Sequence, residues 1–145
     1  MKKILIANRG EIAVRICRAC RDAGYRSVAI ASQADREALH ARMADECHVL
    51  EGNSPRETYL DQTAILDIAA RADADAMHPG YGLLSENESF AAAVEAAGLT
   101  WIGPPAETIA LLGSKVGARS IARSVGAPLL PASGDGRGDR RRYHP

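Results

Sequence analysis

Residues 3–31 read KILIANRGEIAVRICRACRDAGYRSVAIA, and this stretch decides the fold. A short β-type run over residues 3–7 gives way at Asn8-Arg9-Gly10 to a helical pattern in which Ile12, Ile16 and Cys20 recur every fourth residue. Gly24 closes that helix, and residues 26–31 form a second apolar strand. A strand, a helix and a further strand in such close succession imply parallel pairing through a right-handed crossover.

The same alternation continues down the chain. Asp35 offers an N-cap for a short helix that carries Leu39 and Met43 inward, and a third, weaker strand follows at residues 47–50. Thr58 is placed to cap the next helix, with Leu60, Ala64 and Ile68 on one face, and residues 74–77 make a fourth strand. Ser85-Glu86-Asn87-Glu88 has the form of a capping box, Phe90, Val94 and Ala97 make a buried stripe, and Gly98 fits a C-terminal cap. A fifth strand covers residues 100–102; helices over 106–112 and 114–125 are separated by Gly113 and ended by Gly126. The expected fold class is α/β: a doubly wound, mainly parallel, Rossmann-like sheet with helices on both faces and its strand order left open.

The composition suits a single ordinary domain with one core. Of 145 residues, 46% are apolar and 25% charged, and 18 Lys and Arg balance 18 Asp and Glu. That balance gives no reason to expect a nucleic-acid partner. The amino-terminal apolar run ends at Asn8-Arg9, too short for the core of a secretory signal, and nothing approaches a membrane span, so a cytoplasmic location without membrane attachment is expected. Cys17 and Cys20 form a C-x-x-C, but well inside a helix, whereas the redox motif sits at a helix start. They are read as small core residues, with no metal site. Residues 132–145 lack apolar periodicity and are expected to be a disordered tail; its Arg-Gly-Asp triplet and its Arg137, Arg140, Arg141 and Arg142 are read as solvated.

In an open parallel sheet ligands bind beyond the carboxyl ends of the strands, so the loops there carry the functional reading. Residues 6–16 hold only Gly10 where a dinucleotide site needs several glycines, which disfavours a nicotinamide- or flavin-dependent oxidoreductase. Residues 77–87, MHPGYGLLSEN, form a tightly shaped loop that is either a structural connection, with Tyr81 packed and His78 hydrogen-bonded, or part of a site. Residues 111–118, LLGSKVGA, put Lys115 at a helix start, where amide donors and a lysine suit an anion such as phosphate; an exposed surface lysine is the plainer alternative.

Taken together, ANRGEIAVRI (7–16), ADREALHARMADE (34–46), HPGYGLLSEN (78–87), Trp101-Ile102-Gly103-Pro104 and GSKVGA (113–118) resemble, in order and spacing, the amino-terminal domain of biotin carboxylases. The resemblance covers residues 3–131, which sets the expected domain at 1–131 and the divergent tail at 132–145. It implies an ATP-dependent ligase that activates bicarbonate as carboxyphosphate and carboxylates carrier-bound biotin, assisted by magnesium or manganese. By that resemblance Lys115 contacts the nucleotide, while Tyr81, Gly82 and Glu86 lie on the biotin and bicarbonate side of the cleft. Arg15 and Arg18 fall on a helix used for homodimers in the family, with a solvated charged stripe as the equal alternative. The biotin carboxyl carrier protein and a carboxyltransferase are the implied partners.

The family continues after the position of Pro131 into a glycine-rich lid, a second nucleotide lysine, metal carboxylates and a biotin-facing arginine, and residues 132–145 depart from that pattern. No catalytic residue or metal ligand is therefore assigned. A truncated or frame-shifted product, inactive by itself, is expected; the rival is a non-catalytic interaction or dimerisation module.

Overall fold

The structure, a computed structural model, describes residues 2–129, the side chain of Lys115 excepted. Strand β1 (Lys3–Ile6) leads into helix α1 (Gly10–Asp22), then β2 (Arg26–Ser32), α2 (Leu39–Met43) and β3 (Glu46–Leu50). Helix α3 (Gln62–Arg71), β4 (Ala76–His78), α4 (Glu88–Ala96) and β5 (Thr100–Trp101) follow, and then α5 (Ala106–Gly113) and α6 (Lys115–Ser124). The strands lie in the order β3-β2-β1-β4-β5, and every pair is parallel, with Ile4 opposite both Ser27 and Ala76, Val28 opposite Glu46, and Met77 opposite Trp101.

This order follows from where the apolar side chains point. Along β1, Ile4 and Ile6 pack with Ala13, Ile16, Cys17 and Cys20 of α1, whereas Leu5 and Ala7 join Ile65 and Ile68 of α3 and Phe90 and Val94 of α4. Alternate residues of one strand thus feed two cores, as a sheet covered on both faces requires. Crossovers carry the chain from β1 outward through α1 and α2, then back past β1 through α3 to β4 and β5, an order that the right-handed rule for parallel connections accommodates. The winding direction reverses between β1 and β4, which lie side by side. Phe90, fully buried, meets Trp101 edge-on with ring centroids 5.7 Å apart, and the Trp101 indole donates to the Pro104 carbonyl at 3.0 Å. Burial on that scale stabilises by roughly 1.5–3 kcal/mol for such a side chain.

The sheet and its helices agree with the expected doubly wound class, but several helix starts differ. Asp35 caps no helix. It ends a short 3-10 turn (Gln33–Asp35), and its carboxylate is taken by Arg9, Tyr59 and Ser32; α2 begins later, after Ala38, without a side-chain cap. With that shift Leu39 turns outward, 54% exposed, and His40 and Ala41 turn inward. Thr58 is likewise engaged elsewhere: its hydroxyl donates to the Ser54 carbonyl, and Asp61 caps α3 by accepting from Ala64 N at 3.0 Å. The buried stripe becomes Ile65, Ile68 and Ala69, and Leu60 is exposed. In α4 the cap is Asn87, accepting from Phe90 N at 2.8 Å, not Ser85. Two successive turns, Ser85 N to Gly82 O and Asn87 N to Leu84 O, use up the residues before it, so Ala91 replaces Ala97 in the buried face.

The chain divides into two compact units, residues up to Ala110 and residues from Leu111 onward. In the second, Ser114 caps α6 by accepting from Gly117 N at 2.8 Å. A Cβ at Gly117 would stand 2.4 Å from the Leu111 carbonyl oxygen, which explains the small residue in GSKVGA. Residues 132–145 lie outside the described residues. Among the described residues no helix is long and apolar enough to cross a membrane.

Candidate functional site

At the reversal between β1 and β4 the second residue beyond β1 is Asn8, 3% exposed although polar. Its Nδ2 donates to the carbonyls of Pro79 at 2.6 Å and Tyr81 at 2.9 Å, and its Oδ1 accepts from Arg9 N at 2.8 Å. A buried amide with donor and acceptor both engaged ties one loop to the other at no desolvation cost left unmet. Gly10, with φ of +64°, then turns the chain into α1.

The β4 loop runs through left-handed backbone at Gly80, Gly82 and Leu83, with φ of +66°, +63° and +45°. The His78 ring is half-buried, and its Nδ1 accepts from Gly80 N at 3.0 Å, so that nitrogen carries no proton in this arrangement. Burial holds the His78 imidazole below its ordinary pKa. Tyr81 is 60% exposed, and its hydroxyl donates to Glu11 in the first turn of α1, which raises the phenol above its usual range.

A second network closes the neighbouring loops. The Arg9 guanidinium grips Asp35 with two prongs, Nε to Oδ2 at 2.7 Å and Nη2 to Oδ1 at 2.6 Å, and stands 5.5 Å over the Tyr59 ring. Tyr59 donates its hydroxyl to Asp35 at 2.6 Å and accepts from Ser32 N at 2.8 Å. The loops after β1 and β2 are thereby locked to the segment before α3.

Tyr81, Gly82 and Glu86 stand together in the β4 loop, all exposed. Arg15 and Arg18 point outward from α1, and Arg15 edges a recess of about 330 Å³ lined also by Ile4, Ile12, Ile16, Tyr25 and His78. Lys115 is the first residue of α6, in the second unit. Cys17 and Cys20 are buried, at 2% and 4% exposure, with the Cys17 thiol pushed up to about 11 by burial. Among the described residues no three His, Cys, Asp or Glu side chains gather as metal ligands. Sequence reasoning missed Asn8, Glu11 and the Arg9–Asp35–Tyr59 network. An Asx residue directly after a strand buried on both faces was the available signal for Asn8, since such a group must find partners.

An all-parallel doubly wound sheet, with two interlocked loops at its switch point, defines an α/β domain of the class in which ligands bind at the carboxyl edge of the strands. The chain belongs to the biotin carboxylase N-terminal domain family, whose model, "Biotin carboxylase, N-terminal domain", matches residues 1–109. It is 55% identical over 133 residues to the biotin-dependent acyl-coenzyme A carboxylase alpha3 subunit of Mycobacterium leprae, covering 92% of this chain and 22% of that protein. It is 47% identical to biotin carboxylase 1 of Bacillus subtilis, covering 92% of this chain and 30% of that protein. Among solved structures, the biotin carboxylase domain of a single-chain bacterial carboxylase superposes with a TM-score of 0.87 at 46% identity, over 90% of this chain and 30% of that one. Pyruvate carboxylase from Rhizobium etli gives 0.84 at 43% identity, over 92% of this chain and 13% of that one. The chain therefore spans less than a third of the length of these relatives.

Proposed function

We propose that this chain supplies the amino-terminal part of an ATP-dependent biotin carboxylase, in which bicarbonate is activated by ATP and carbon dioxide passes to the ureido nitrogen of carrier-bound biotin. The observation that carries the reading is the β4 loop, with Tyr81, Gly82 and Glu86 exposed at the switch point of a chain belonging to this family. Tyr81 offers an aromatic face and a fixed hydroxyl to the biotin ring system, Gly82 an approach free of side chain, and Glu86 a carboxylate on the same loop. Lys115, at the start of a capped helix, supplies the positive charge for the nucleotide phosphates. Magnesium or manganese would accompany ATP, but among the described residues no three His, Cys, Asp or Glu side chains gather to hold it.

We take the functional domain as residues 1–131, a proposal that the family match over residues 1–109 supports for its larger part. Its setting is cytoplasmic, with a biotin carrier and a carboxyltransferase as partners, and the 145-residue chain is inactive by itself. Titration of the 15N-labelled chain with biotin and bicarbonate is the test. Shifts should concentrate at Tyr81, Gly82 and Glu86; shifts elsewhere only, or none at high millimolar biotin, would remove the loop from the site.

A second reading, a dimerisation module without catalysis, is favoured by one feature. Arg15 and Arg18 project from α1 beside the partly apolar recess. Sedimentation of the wild type and of Arg15→Glu with Arg18→Glu tests for a dimer through α1, and a dimer from a chain that shows no biotin response at the loop would favour this second reading.

A further inference from the structure

The two sequence motifs ANRGEI and HPGYG are distant along the chain and joined in space by side chains of the first gripping the second. Asn8 holds the β4 loop by its backbone, at the carbonyls on either side of Gly80. Glu11 holds it by a side-chain tip, the Tyr81 hydroxyl. The grip leaves no slack: a Cβ at Gly80 would lie 2.8 Å from Asn8 Nδ2 and 3.0 Å from Ile12 Cγ1. Gly80 and Gly82 take positive φ at no steric cost, whereas Leu83, at +45°, holds a backbone that a non-glycine residue keeps only where its surroundings over-determine it. Asn8 supplies the bonds to the backbone, and Glu11 removes the remaining freedom of an otherwise exposed phenol ring.

We propose that Asn8 and Glu11 are positioning residues, which set the backbone path of Gly80–Gly82 and the direction of the Tyr81 ring so that the loop meets its ligand preformed. The inference rests on the assignment of Tyr81 and Gly82 to the biotin side of the site. Neither residue touches ligand in this scheme. Each acts through the loop, and its loss lowers affinity by letting the loop sample other paths before binding.

The full chain, 15N-labelled, provides the test. Asn8→Ala should speed amide exchange at Gly80 and Ser85 at least tenfold, with the amides pairing β1 and β2 little changed. Should Asn8→Ala unfold the chain, the exposed Glu11→Ala decides. It should leave the urea midpoint unmoved, drop the Tyr81 phenol titration toward its ordinary range, and weaken biotin binding about fivefold; Glu11→Gln, which keeps the acceptor, should restore binding. Unchanged Gly80 exchange in a folded Asn8→Ala chain, or an unmoved Tyr81 titration in Glu11→Ala, overturns the proposal. If wild-type chain shows no biotin response at the loop, the site assignment fails instead, and the exchange and titration still decide whether Asn8 and Glu11 hold the loop.

Discussion

Arg9 and Asp35 face each other across the mouths of β1 and β2 as a two-pronged pair, with both donor–acceptor distances under 2.8 Å. The Arg9 guanidinium, with the Tyr59 hydroxyl second, holds the Asp35 carboxyl well below the usual carboxylate range. A carboxylate whose folded pKa is depressed stabilises the fold above its unfolded pKa, about 3.9, and loses that contribution as pH falls toward the folded value. Asp35→Asn should therefore cost roughly 2 kcal/mol at pH 7, the scale of hydrogen bonds to a charged group, and the deficit should shrink below pH 4. Urea unfolding of both proteins between pH 3 and 7 measures this; a constant deficit across that range contradicts the assignment.

His40 is 1% exposed, with Nε2 3.2 Å from the Ile30 carbonyl and Nδ1 without a partner. Burial lowers its pKa, so the unfolded chain takes up a proton that the folded chain refuses. Stability must then fall as pH drops below the unfolded value of about 6.5, by up to about 1.4 kcal/mol for the first unit. The depressed carboxylates do not titrate in this window, but His78, also lowered by burial, adds a slope of the same sign. Unfolding midpoints at pH 7.5 and 5.5 should separate more for the wild type than for His40→Leu, whatever the absolute stability of the variant.

Cys17 and Cys20 face the α1 side of the sheet, while Cys47 is exposed on β3. With Cys17 at about 11, only on the order of one thiol in a thousand is ionised at pH 8, and burial withholds the rest. Folded chain should therefore give one fast thiol toward a disulfide reagent and two that react only on unfolding. Labelling followed by peptide mass analysis identifies them; fast reaction at Cys17 or Cys20 would mean that α1 opens readily.

The alternation of strands and helices was legible because periodicity reports burial, and burial on both faces of β1 follows directly from its unbroken apolar run. Helix starts were less legible. Thr58, Ser85 and Asp35 all have side chains able to cap, but capping competes with local turns, and Asp61 and Asn87 stood closer to the first helical amides. The candidate site divides in the same way. Tyr81, Gly82 and Glu86 lie on one contiguous loop and could be read as a motif, whereas Asn8 and Glu11 reach that loop from some seventy residues away. Only the order of strands, with β1 and β4 adjacent, brings them together.

Catalytic competence is the remaining expectation, and it turns on charge. Phosphoryl transfer is carried by metal ions and positioned cations around the phosphates, and the described residues contribute the α6 start with Lys115 but no cluster fit for a metal. One or two phosphate contacts support about 4 kcal/mol of binding, which is a millimolar dissociation constant. The purified chain should thus show no biotin-dependent ATP hydrolysis and no tighter nucleotide binding than that by calorimetry. Added to the carboxy-terminal portion of a related biotin carboxylase as a separate chain, it should restore some turnover, and Lys115→Ala should then lower ATP use with little change in the urea midpoint. Carboxylation of free biotin by the 145-residue chain alone, above a control without protein, would require a catalytic arrangement other than the one proposed.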